Sequence, residues 1–193
     1  DLVGLVHIAD VPGRPFILAA GRLEHQKGHD ILLKAYADSG AADAFDLVIL
    51  GRGTQEANLK RQASMLGLED KVRFPGFADN PWAWIAKARL FVLPSRWEGF
   101  PCAMIEALAC GAPALVTSCE FVPAEMVEHG LRRHAEVDEA GDLVDARVAQ
   151  RLGHGEATLL RAEEGAGAAV AVERVLQQRV HLCCGQRRLL HDL

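Results

Sequence analysis

Residues Leu90 to Glu106 read LFVLPSRWEGFPCAMIE, and the order of residue types in this run decides the fold. Leu90 to Leu93 is a short, uninterrupted apolar run, the pattern of a strand buried on both faces. Pro101 suits the first turn of a helix, because its missing N–H has no partner to lose there. Met104, Ile105, Leu108 and Ala109 then recur at helical spacing. Strand, loop and helix in this order bring the free amides of Cys102 and Ala103 to the carboxyl edge of a sheet, where the helix dipole favours an anion such as phosphate. Glu98 in the loop and Glu106 in the helix flank that place. A carboxylate repels phosphate, so these two are suited to accept hydrogen bonds from neutral hydroxyls. Helical side chains lean toward the N-terminus, so Glu106 can reach back to the same ligand. The plainer alternative is a surface ion-pairing role for both.

Working outward, similar apolar runs stand at Phe16 to Ala20, Leu47 to Leu50, Val72 to Phe74 and Ala114 to Thr117. Between them lie amphipathic segments carrying Ile31, Leu32, Ala35 and Tyr36, then Leu59, Ala63 and Leu66. Strand and helix alternate, which predicts an α/β fold with a doubly wound parallel sheet, Rossmann-like. In such sheets ligands bind beyond the carboxyl ends of the strands. The turn after Ala20 holds Gly21, Arg22, Leu23, Glu24, His25, Gln26, Lys27 and Gly28. Arg22 offers a planar fork of donors and Lys27 a mobile point charge, and together they can meet a diphosphate that gains negative charge as a bond breaks. Taken alone, this loop reads sooner as a solvated basic turn. Trp82 and Trp84 read as packing residues of a short helix rather than as a sugar platform.

The chain has 193 residues, half of them hydrophobic, enough for one filled core with an appendage rather than two domains. A net charge of -5 gives no global field for nucleic acid, so an anion site has to be local. Five cysteines lack a CxxC pair or ligand-like spacing with histidine, which speaks against a zinc site or a disulfide scaffold. No segment reads as a signal peptide or a membrane span. Residues 1–13 read as a linker remnant and 14–130 as the Rossmann-like domain. Residues 131–193, which lack Phe, Trp, Tyr, Ile, Met, Pro, Ser, Asn and Lys, read as an irregular or helical tail, with Glu156 to Leu182 as its best helical segment.

The motifs GRLEHQKG, VRFPGF, LPSRWEGFP and IEALACGAP together resemble glycosyltransferase family four, the group-one transferases, over Arg14 to Gly130. The resemblance implies a GT-B fold whose C-terminal domain binds a nucleotide-linked sugar, UDP-linked rather than GDP-linked, and a transfer with retention that needs no metal or other cofactor. By position it assigns Arg22 and Lys27 to the diphosphate, Glu98 to the donor sugar and Glu106 to the ribose, with Arg22, Lys27 and Glu98 as the catalytic set. Pro75, Gly76 and Phe77 would meet the base through backbone, and Gly99, Phe100, Pro101, Cys102 and Ala103 the sugar and phosphate, beside Gly21. The wording of the motifs is most similar to bacterial enzymes of exopolysaccharide, capsule or lipopolysaccharide assembly. That implies a cytoplasmic setting, with the inner membrane face as one place for it, and a glycan or lipid-linked acceptor held by a further N-terminal domain or a partner chain. A donor-binding subunit of a split transferase and a non-catalytic fragment are the alternatives. Two departures stand out. Val122 occupies a position where similar sequences carry glycine, and no Gly-Leu-Leu-Val-Pro-like strand follows Gly130, as a shifted reading frame, recombination or a divergent tail would leave it.

Overall fold

The computed structural model describes residues 11–117, together with the backbone of residues 131–133 and 157–162. Five apolar runs become parallel strands: β1 (Phe16–Ala20), β2 (Asp46–Leu50), β3 (Val72–Gly76), β4 (Leu90–Leu93) and β5 (Ala114–Thr117). The helices between them are α1 (His29–Ser39), α2 (Glu56–Met65), α3 (Pro81–Ile85) and α4 (Cys102–Ala109). The parallel part of the sheet runs β3-β2-β1-β4-β5, the doubly wound order expected of alternating strands and helices.

Alternation along each strand splits the core into two layers. Phe16 and Leu18 of β1 join Phe91 and Leu93 of β4 in packing with Trp84, Ile85, Met104 and Ile105 of α3 and α4. Ile17 and Ala19, with Leu47 and Ile49 of β2, pack on the other side against Leu32, Leu33, Tyr36 and Leu59 of α1 and α2. Each fully buried Leu or Ile contributes about 1.5–3 kcal/mol, so the two layers together fix the order of the strand ends that carry the loops. Trp84 is buried with its ring edge-on to Phe16 at 6.4 Å, as a packing residue should be, whereas Trp82 is half exposed. Asn80 caps α3 by accepting from the Ala83 N–H, with Pro81 in the first turn.

Three expectations need correction. The tail adds two strands to the sheet, β6 (Leu131–Arg133) and β7 (Ala157–Ala162), so it is neither wholly irregular nor helical. Ala157–Ala162, read from sequence as part of a helical segment, is therefore a strand, and the residues LRR after Gly130 form a short one, though not the Gly-Leu-Leu-Val-Pro-like run missing from the sequence. β7 pairs antiparallel with β5 from Ala114↔Leu160 to Thr117↔Ala157, and β6 pairs antiparallel with β7. The apolar flank of β5 needs hydrogen-bond partners as much as a layer of helices, and periodicity alone does not register that need. The remainder of Glu156 to Leu182, and Val122, lie outside the described residues. Finally, Pro101 is the cap residue just before α4, not its first helical residue.

Candidate functional site

β1 has β2 on one side and β4 on the other, so the order of the chain reverses between β1 and β4, and a crevice opens beyond their carboxyl ends. Two loops leave these ends, 21–28 and 94–101, and they are laced together. The Arg96 N–H donates to the Gln26 carbonyl at 2.8 Å, and the Gln26 amide donates to the Trp97 carbonyl at 2.9 Å. The Arg96 guanidinium grips both carboxylate oxygens of Asp30 at 2.8 and 2.7 Å and also reaches the His25 carbonyl at 2.7 Å. This bidentate bond holds the Asp30 carboxyl below its ordinary range. Gly28 is where the two loops come closest. It has φ of 65°, and a Cβ there would lie 2.0 Å from the Pro94 carbonyl oxygen. Only glycine fits.

Lys27 and Glu98 meet inside this lacing. Lys27 Nζ donates to Glu98 Oε1 at 2.6 Å, and the Ser95 hydroxyl donates to the same oxygen. Glu98 is 4% exposed, so its ion pair is not the surface pair that was the plainer alternative from sequence. A carboxylate this buried is tolerable because a cation and a hydroxyl both face it. Oε2 takes part in none of these bonds and is left to accept from a hydroxyl, while two of the three Lys27 ammonium hydrogens remain for an anion. The aliphatic stem of Lys27 runs beside Gly21, whose Cβ, were there one, would lie 3.5 Å from it. Thr117 buttresses the arrangement by donating to the Ser95 carbonyl at 2.6 Å.

Next to Gly21 lies a cleft of about 340 Å³, lined by Gly21 and Arg22 after β1, by Arg52 after β2, by Phe77 after β3, and by Ala103 and Glu106 of α4, over a floor that includes Ala20, Leu50 and Ile85. The sequence-derived residues Gly21, Arg22, Phe77, Ala103 and Glu106 thus share one cleft, with Lys27 and Glu98 at its Gly21 side. Gly76 has φ of 87° and its carbonyl accepts from the Gly51 N–H at 2.8 Å, which turns Phe77 outward to 67% exposure. Gly99 is exposed, Phe100 is partly buried against the α3 and α4 layer, and Pro101 is buried. The amide pair expected at the start of α4 is reduced to one. The Cys102 N–H is taken by the Phe100 carbonyl at 2.9 Å, which leaves the Ala103 N–H beside the cleft.

Arg52, Ser95, Arg96 and Asp30 are parts of this site that the sequence alone did not mark. The Arg96–Asp30 pair joins residues 66 positions apart, and no spacing rule reports such a pair. Glu24 ties the first loop to the turn after β2, accepting from the Thr54 N–H at 3.0 Å and hydroxyl at 2.6 Å. His29, just behind Lys27, is buried with neither ring nitrogen in a hydrogen bond among the described residues. Burial first, and the Lys27 charge second, push its imidazole down to about 4. Among the described residues no group of three or more His, Cys, Asp and Glu side chains is arranged to hold a metal ion, and no helix is long and apolar enough to cross a membrane.

Comparison with known proteins shows the family and the fold. The sequence profile of the family described as Glycosyl transferases group 1 matches residues 8–155. A Campylobacter jejuni relative, N-acetylgalactosamine-N,N'-diacetylbacillosaminyl-diphospho-undecaprenol 4-alpha-N-acetylgalactosaminyltransferase, is 37% identical over 145 residues, spanning 75% of this chain and 37% of its own length. The lipopolysaccharide core biosynthesis mannosyltransferase LpsB of Rhizobium meliloti is 34% identical over 154 residues, spanning 72% of this chain and 42% of its own. The chain therefore spans about two fifths of the length of these relatives. Among solved structures, a point mutant of S. aureus TarM, crystallised with fondaparinux, alpha-GlcNAc-glycerol and UDP, superposes with a TM-score of 0.61 at 17% identity, covering 92% of this chain and 38% of that one. That likeness is one of fold. With the profile spanning most of the sequence and the motif residues gathered at one sheet edge, the chain belongs to the glycosyl transferases group 1 family.

Proposed function

We propose that the cleft at the β1/β4 reversal holds a UDP-linked sugar, and that the chain is the donor-binding part of a retaining hexosyltransferase acting on a glycan or lipid-linked acceptor in bacterial polysaccharide or lipopolysaccharide assembly. One observation carries this reading: Arg22, the Ala103 amide and Glu106 line a single cleft, and the Lys27–Glu98 pair stands at its Gly21 side. The bond from the anomeric carbon to the diphosphate oxygen breaks with its electron pair on the diphosphate. Arg22, Lys27 and the start of α4 face that growing charge, so they stabilise the transition state more than the bound substrate. Glu106 accepts from a ribose hydroxyl and Glu98 from a hydroxyl of the sugar. Phe77 and the Gly76 turn border the base. Protein cations and a helix N-terminus meet the diphosphate, and no metal is called for. The activities for which these relatives are named support the acceptor class, one being a transferase to an undecaprenol-linked saccharide and the other a lipopolysaccharide core enzyme. We place its site of action in the cytoplasm.

Thermal melts with UDP, GDP and UDP-glucose test the reading. A ligand at about 100 times its Kd stabilises the folded state by about 2.7 kcal/mol, a rise of several degrees in Tm. A folded chain that shows no rise with any nucleotide would end the proposal. Unchanged UDP affinity in Glu106→Ala would remove the ribose role alone.

A further inference from the structure

The cleft is lined by a second cation besides Arg22. Arg52 follows β2, across the sheet from α4, and lines the cleft on the side of Phe77. Its backbone is held on both sides. The Arg52 carbonyl accepts from the Leu23 N–H at 2.9 Å, and the neighbouring Gly51, with φ of 135°, donates to the Gly76 carbonyl at 2.8 Å. No side chain larger than glycine's fits at 51, where a Cβ would lie 1.9 Å from the Gly21 carbonyl oxygen. With its Cα pinned in this way, the Arg52 side chain passes over the Gly76 turn, Nε lying 3.8 Å from where a Gly76 Cβ would stand. Among the described residues Arg52 forms no ion pair, unlike Arg14, Arg73 and Arg96, which all do. Its donors are therefore uncommitted and sit at the Phe77 end, whereas Lys27 sits at the Gly21 end.

Resting on the nucleotide-sugar reading above, we propose that Arg52 is the base-reading side chain of the cleft, donating from its guanidinium to the carbonyl oxygen at C4 of uracil or C6 of guanine. A guanidinium has donors and no acceptor. It rewards a base that turns a carbonyl toward it, uracil or guanine, and penalises cytosine and adenine, whose amino group stands at the corresponding atom and would face it donor to donor. Phe77, exposed beside it, offers a flat apolar surface for the ring, so plane and edge of the base are read by two different residues.

The test is calorimetric titration of the whole chain and of its Arg52→Ala and Arg52→Gln variants with UDP, CDP, GDP, ADP and inorganic pyrophosphate. UDP and CDP differ only at the base, as do GDP and ADP. The preferred member of a pair should bind the native chain about ten- to hundredfold more tightly than its amino counterpart, the size of one charge-assisted hydrogen bond. Both variants should lose that ratio, falling to within about threefold, while pyrophosphate affinity stays as in the native chain. An unchanged ratio in the variants overturns the assignment, and so does a loss of pyrophosphate binding, which would make Arg52 a phosphate ligand. If the native chain binds no nucleotide at all, it is the nucleotide-sugar reading itself that fails.

Discussion

At the scale of single residues, the Lys27–Glu98 pair and Gly28 carry the sharpest consequences. Removing one member of a buried pair strands the other charge, a cost of about 3–5 kcal/mol. Lys27→Met should therefore lower stability by at least about 3 kcal/mol in urea unfolding, while Lys27→Met combined with Glu98→Gln recovers a large part of the loss. A double variant no more stable than the single one would mean that Glu98 is not held as an anion. Gly28 and Gly40 both have positive φ, 65° and 73°, but a Cβ meets the Pro94 carbonyl at the first and nothing within 4 Å at the second. Gly40→Ala should cost about 1 kcal/mol for its backbone conformation. Gly28→Ala should cost at least about 2 kcal/mol more and should weaken UDP binding as well, because loops 21–28 and 94–101 must part to admit the methyl. Equal losses in the two variants would show that the close approach is relieved at no cost.

At the scale of elements, α1 begins on a group with a pH signature. The imidazole of His29 titrates near 6.5 in an unfolded chain and is held at about 4 in the fold. Its neutral form is the folded form, so its contribution is whole above about pH 6.5 and drains away as the pH falls toward 4, on the order of 3 kcal/mol in all. His29→Leu should flatten the decline of the urea midpoint between about pH 7 and about pH 4.5, and parallel curves for the two proteins would refute the assignment. Asp30 acts in a lower window. Its carboxyl is depressed by Arg96, so its share is kept until the pH falls below the ordinary carboxylate range. The five parallel strands were legible in sequence to within a residue or two because each is built on a short apolar run, interrupted in β3 by Arg73, and α1, α2 and α4 because their apolar residues recur at helical spacing. Less legible was everything set by who meets whom. Apolar periodicity says which way Glu98 or Arg52 can point, not that Ser95 and Lys27 will receive the one while the other is left unpaired over Gly76. β7 went unseen for a related reason: ATLLRA is short, mixes apolar and polar residues, and owes its state to the free edge of β5.

At the scale of the molecule, β5 is an interior strand by virtue of residues that come forty and more positions later. Ala114, Leu115 and Val116 are buried, and β7 supplies the hydrogen bonds along their outer side. A chain cut after Thr117 would present that row unpaired, and unpaired apolar edges recruit other chains. Light scattering coupled to gel filtration should show the shortened protein self-associating to larger species than the full chain, and a shortened protein of unchanged oligomeric state would mean that β7 is dispensable. The lacing of loops 21–28 and 94–101 has a consequence of a different kind. Partners that touch in space, Gln26 with Trp97, Lys27 with Glu98, Gly28 with Pro94, Asp30 with Arg96, lie on opposite sides of the interval 31–93. A chimaera that takes its first part from this chain and its second from a relative, joined anywhere in that interval, inherits one half of every pairing from each parent. Grafts that exchange 31–93 and keep both flanks from a single parent leave the clasp whole, so functional hybrids should be found by transplanting the middle of the domain and not by swapping its ends.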